Sequence, residues 1–212
     1  MSAIGDLSAV PADFMTALAA LRRAQCRSEL RLEELPAPSR LAPFAVALGA
    51  EVIQPSAPAV RPLHGPALAA AGSTGGTELA TGRFILLHDP EGSELWDGTF
   101  RIVTYIRAQL DAEMGNDTLL GSVAWTWLVE ALDIHKAMYR NAGGTATRIL
   151  SESFGTLAGQ QDAIDIELRA SWTPDNAQVQ AHLEAWSDMV CTFAGLPPLP
   201  EGVASLPNRR RN

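Results

Sequence analysis

Apolar and polar positions along the chain change period several times, and each change marks an element. Phe14, Leu18 and Leu21 recur at i, i+4 and i+7 behind Pro11, which predicts a helix running to about Cys26 with one buried face. Asp13 in its first turn and Arg22 and Arg23 near its end suit the helix dipole. The period then falls to two. Leu30 and Leu32 alternate with Arg31 and Glu33, and Phe44, Val46 and Leu48 alternate with smaller residues toward Val52 and Ile53. These read as two strands joined by a proline-rich connection. Arg83 to His88 is a nearly continuous apolar strand, followed by a connector of turn formers from Asp89 to Gly98. The return strand is the clearest in the chain. Phe100, Ile102, Thr104, Ile106, Ala108 and Leu110 point one way, with Arg101, Val103, Tyr105 and Arg107 on the other side.

A second helix is predicted from Asn116 or Asp117 to Ile134, with Leu120, Val123, Ala124, Trp127, Leu128 and Ala131 as its apolar stripe. After a turn at Asn141–Gly144, a second hairpin pairs Thr145–Phe154 with the alternating run from Ile164 to Trp172. A last helix is predicted to start at Thr173-Pro174-Asp175, to bury Val179, His182 or Leu183, Trp186, Met189, Val190 and Phe193, and to stop at Gly195. The order of helix, four strands, helix, two strands, helix predicts an α+β fold. It has two layers, a mostly antiparallel six-stranded sheet covered by about three helices.

Composition divides the chain further. Residues 1–10 read as a flexible start, 11–198 as a single α+β domain, and 199–212 as a flexible basic tail. Pro55, Pro58, Pro62 and Pro66, followed by Gly72, Gly75 and Gly76, make about 54–82 a Pro/Gly/Ala-rich insertion that cannot bury enough to offset its ordering entropy. Net charge is −8, and the arginines at 209–211 make the body more acidic still, which argues against nucleic acid as a partner. No leader or membrane-length apolar run is apparent, so no membrane insertion and a cytoplasmic location are expected.

Several ordered blocks resemble one family. They are Leu41-Ala42-Pro43-Phe44-Ala45, Leu87-His88-Asp89-Pro90, Trp96-Asp97-Gly98-Thr99-Phe100-Arg101, Trp125-Thr126-Trp127-Leu128, Arg169-Ala170-Ser171-Trp172-Thr173-Pro174 and Gly195-Leu196-Pro197-Pro198. Together they resemble the actinobacterial family catalogued as domain of unknown function 3000, over about residues 11–198. That resemblance implies an intracellular actinobacterial protein and no catalytic role for any residue.

Candidate chemistry is sparse. His88 and Asp89 could supply a general base, but neighbours on a strand point to opposite faces, and Asp89-Pro90 is an ordinary turn opener. His64, His88, His135 and His182 have no metal-ligand spacing. Cys26 and Cys191 read as packed thiols. Arg101 and Arg169 lie opposite the apolar rows, with acidic counter-charges nearby. Trp125 and Trp127 stand two apart on a helix, so one is expected in the core and the other either as an exposed anchor or packed under a neighbouring loop, and Trp96 in a turn raises the same question. No catalytic residue, metal site or cofactor is assigned. The reading is a non-catalytic protein-interaction or adaptor module, partnered by a second copy of itself or by another protein. The alternative is a small anionic-ligand-binding protein or enzyme with a pocket near the 83–110 hairpin. The residues singled out for ligand or partner are His88, Asp89, Trp96, Arg101, Trp125 and Arg169.

Overall fold

A computed structural model describes residues 10–54, 77–110, 117–159 and 163–198. Helix α1 spans Ala12–Arg23 and is followed by strands β1 (Leu30–Leu35), β2 (Phe44–Gln54), β3 (Thr77–Ser93) and β4 (Gly98–Leu110). Helix α2 (Leu120–Ile134), strand β5 (Tyr139–Ser151), a 3-10 turn (Gly155–Leu157), strand β6 (Ala163–Pro174) and helix α3 (Gln180–Phe193) complete the order. The six strands form one open antiparallel sheet in the order β1-β2-β3-β4-β6-β5. The fold is α+β, as the alternation predicts.

All three described helices lie on one sheet face, because that face carries the apolar half of each alternating strand. Phe84, Leu86, Phe100, Ile102, Ile106, Ile166, Leu168 and Trp172 are buried there. Helix α3 crosses the centre, with the Trp186 ring 5.6 Å from that of Phe84. A Cβ on Gly82 would lie 2.6 Å from Trp186 Cζ2, so the bare backbone of β3 is what lets the indole seat against the sheet. Helix α2 sits over β5, and α1 packs beside α3. Gly195, at φ +76°, ends α3 in the left-handed region where glycine is favoured.

Helix α1 ends at Arg23, short of the expected Cys26, and three strands run further than the sequence reading has them. Strand β3 begins at Thr77 and ends at Ser93, because pairing with β2 and β4 carries it past its apolar centre in both directions. Part of the predicted insertion, Thr77–Gly82, is therefore strand, and its remainder at 55–76 lies outside the described residues. Strand β5 begins at Tyr139, and the predicted turn at Asn141–Gly144 is absorbed as a bulge between Arg140 and Gly143, with Asn141 at φ 53°. Thr173 and Pro174 close β6, so the last helix starts at Gln180. The predicted tails also fall outside the described residues, apart from Val10. Among the described residues no helix is long and apolar enough to cross a membrane.

Candidate functional site: the sheet face away from the helices

Odd-numbered positions of β1–β4 and β6 project onto the second sheet face, and antiparallel register aligns them into cross-strand rows. One row reads Leu35, Ala47, Ile85, Val103, Ser171. The next, two residues along each strand, reads Glu33, Gly49, Arg83, Tyr105, Arg169. The third reads Arg31, Glu51, Thr81, Arg107, Glu167. Polarity therefore rises stepwise along the strands, from an apolar row to two charged ones. A cleft of about 680 Å³ opens over this gradient, lined by Leu35, Ile85 and Val103 at its floor and by Glu33, Arg83 and Arg169 among its charged groups. That volume lies in the range of small-molecule sites.

The electrostatics are divided across the cleft. Glu33 and Glu51 stand on the β1–β2 side, and Arg83 and Arg169 on the β3–β6 side. Arg169 donates to Glu167 at 2.8 Å, and its guanidinium lies 5.7 Å over the Tyr105 ring. Tyr105 Oη donates to the other Glu167 oxygen at 2.8 Å. Burial, with the Glu167 carboxylate added, raises the Tyr105 phenol above its ordinary value, so it stays a hydrogen-bond donor at neutral pH. Arg83 is exposed and makes no ion pair with any described residue. Strands lie about 4.8 Å apart, so Arg83 and Arg169, one strand either side of Tyr105, start roughly 10 Å apart. Two long side chains at that spacing can converge on one anion.

Of the residues singled out from sequence, Arg169 lies in this cleft. The others are elsewhere. His88 is on the helix-covered face and 1% exposed, stacked on Phe100 with ring centres 4.2 Å apart and on Phe14 at 5.8 Å. Its Nδ1 lies 3.0 Å from the Thr99 carbonyl, which can only accept, so Nδ1–H donates, and Nε2 is buried with no hydrogen-bond partner among the described residues. Arg101 occupies the opposite face, so the two do not meet across a pocket. Asp89 caps its own turn, with Oδ1 accepting from Glu91 N at 3.1 Å. Trp125 and Trp127 are both half-buried against the core, Trp125 over Gly144 and Trp127 edge-on to Phe193 at 6.0 Å. Of the two outcomes open for the second tryptophan, packing and not exposure holds, because α2 lies over the sheet margin and β5 and α3 receive one ring each.

Arg101 and Trp96 belong to a polar latch. Arg101 donates to the Asn141 carbonyl at 2.8 Å, to Thr173 Oγ1 at 3.0 Å and to Ser171 Oγ at 2.7 Å. Thr173 Oγ1 in turn donates to the Trp96 carbonyl. Arg140 bridges Asp97 and Asp175, at 3.2 and 2.8 Å. The β3–β4 turn is thereby tied to the ends of β5 and β6.

The other described histidines and the two cysteines make packing or helix-tethering contacts. His135, on the turn after α2, is 2.7 Å from Asp188 of α3, and that hydrogen bond, with nearby Glu184, raises its pKa. His182 accepts from Trp172 Nε1 at 3.1 Å, and burial lowers it to about 4. Burial pushes the Cys26 thiol up to about 11 and Cys191 to about 12, the opposite of an activated nucleophile. Among the described residues no group of three or more His, Cys, Asp or Glu side chains is placed to hold a metal ion.

Arg83, Tyr105, Glu33 and Leu35 were not singled out from sequence. Strand alternation assigns each to a face, but only the register of four strands puts them in adjoining rows.

Comparison with known families finds one whose model matches residues 10–204, described as a protein of unknown function (DUF3000). No curated protein and no solved structure matches the chain.

Proposed function

We propose a binding role for this chain, which belongs to the DUF3000 family of proteins of unknown function: the open sheet face takes a small amphipathic anion without transforming it. One observation carries this reading. The row Glu33–Gly49–Arg83–Tyr105–Arg169 borders the row Leu35–Ala47–Ile85–Val103, so a ligand seated in the cleft meets apolar side chains at one end and paired arginines at the other. An apolar body laid on Ile85 and Val103 supplies affinity by leaving water. A carboxylate or phosphate head between Arg83 and Arg169 supplies orientation.

The test is titration of the ¹⁵N-labelled protein with decanoate, decyl phosphate and the neutral decyl glucoside, followed by amide shifts. Saturable shifts confined to residues around Arg83, Val103, Tyr105 and Arg169, seen with the two anions and lost or weakened at least tenfold in Arg83→Gln/Arg169→Gln, are expected. Equal response to the neutral glucoside, or no response to any of the three, overturns the reading.

A further inference from the structure

Strand β5 is a sheet edge of unusual exposure. It is 13 residues long, and among the described residues nothing pairs with its outer side. The opposite edge, β1, is shielded in the usual ways: it has 6 residues, it carries Arg31, Glu33 and Glu34, and Pro36 and Pro38 follow it. Strand β5 has charges only at Arg140 and Arg148, and its centre, Gly143-Gly144-Thr145-Ala146-Thr147, is small and neutral. Large apolar side chains cluster at both ends of the same edge. Ile134 and Met138 precede it at 73% and 67% exposure, and Leu150, Phe154 and Leu157 end or follow it at 59%, 75% and 53%.

We infer that β5 is a homodimer interface, pairing antiparallel with β5 of a second copy about a two-fold axis normal to the sheet. An edge that binds another copy of itself must be self-complementary, and this one is. Its regular stretch is Gly143–Ser151, past the bulge. Centring the two-fold axis on Thr147 sets Ile149 against the partner's Thr145, Arg148 against the partner's Ala146 and Leu150 against the partner's Gly144. Each large side chain meets a small one, and no arginine faces another directly. Gly144 also lies under the Trp125 ring: a Cβ there would be 2.8 Å from Trp125 Cζ3. The partner's Leu150 therefore arrives beside that half-buried indole, on the helix-covered face. Antiparallel pairing also brings Ile134 and Met138 to the end where the partner's Phe154 and the partner's Leu157 lie. The result is one continuous 12-stranded sheet, twice the 6-stranded sheet of a single chain, with helices on the same side in both halves. Main-chain hydrogen bonds would supply affinity and the apolar ends would enlarge the buried area. The cleft reaches Arg169, one strand in from this edge, but ligand shifts test it and solution mass tests the interface, so failure of one proposal is told apart from failure of the other.

Light scattering and sedimentation equilibrium on the full chain test the inference, with two variants. The wild type is expected at twice its 22.6 kDa mass. Thr147→Lys/Leu150→Lys sets like charges opposite each other at the two-fold axis and a charge against Gly144, and should weaken dimerisation at least tenfold with unchanged far-UV circular dichroism. Thr147→Cys places a thiol opposite its own copy and should form a covalent dimer under mild oxidation, while the wild type, which keeps Cys26 and Cys191, does not. A wild-type monomer at every accessible concentration overturns the proposal. So does a dimer that neither variant perturbs or captures. Should the double lysine variant lose its fold, the cysteine crosslink decides alone.

Discussion

Gly82 carries much of the fold on a missing atom. The Trp186 indole, 0% exposed, sits where a β-carbon would be, and Val190 Cγ2 lies 3.1 Å from the same point. Gly82→Ala should cost about 1–3 kcal/mol by forcing the helix off the sheet, read as a lower urea midpoint at unchanged m-value. Arg101 is the corresponding case for polar packing. Its guanidinium is desolvated enough to lower its pKa, and three donors hold Asn141, Ser171 and Thr173. Arg101→Met should destabilise by about 1–3 kcal/mol, since it leaves those acceptors unpaired, and should increase amide exchange in the β3–β4 turn and at the start of β5. Neither role was legible beforehand. Alternation assigned Arg101 to a face correctly, but its partners are 40 to 72 residues away in sequence. His88 shows the converse. Its neighbour Asp89 suggested chemistry, whereas three aromatic rings around it show packing.

At the scale of elements, two histidines give the helix layer opposite responses to pH. His135 ties the end of α2 to α3 through Asp188, and its pKa is raised in the fold. The stability it adds is complete below its ordinary value of 6.5 and disappears as pH rises through the higher folded value. His135→Gln should therefore lower stability more at pH 6 than at pH 9, by less than about 1 kcal/mol for this partly exposed pair. His182 is lowered, to about 4, so the stability from keeping it neutral is present above 6.5 and is lost as pH falls toward 4. That loss is on the order of 3 kcal/mol. Urea titrations between pH 7 and pH 4 should show it for the wild type and not for His182→Gln. The helices themselves were readable from period and punctuation. The ends of β3, β5 and β6 were not, because pairing with a neighbour extends a strand through Pro90, Asn141 or Thr173 where local propensity says turn.

At the scale of the whole molecule, the register of β2 with β3 runs from Phe44↔His88 to Gln54↔Thr77, so the two ends that flank 55–76 are already paired. Replacing 55–76 by Asn-Gly, which suits a two-residue hairpin turn, should preserve the circular dichroism spectrum and leave Tm no lower. A clear fall in Tm would mean that the segment supplies part of the core. The sequence by itself determined the α+β class, the antiparallel pairing, the six strands and the placement of the helices on the apolar face. Those features rest on periods of two and 3.6 and on short connections, all written in local order. Tertiary structure alone decided which odd-numbered residues share a row, that Arg83, Tyr105 and Arg169 border an apolar floor, and that the sheet's two edges are β1 and β5. Cross-strand register and strand order join residues far apart in the chain, and no local pattern encodes them.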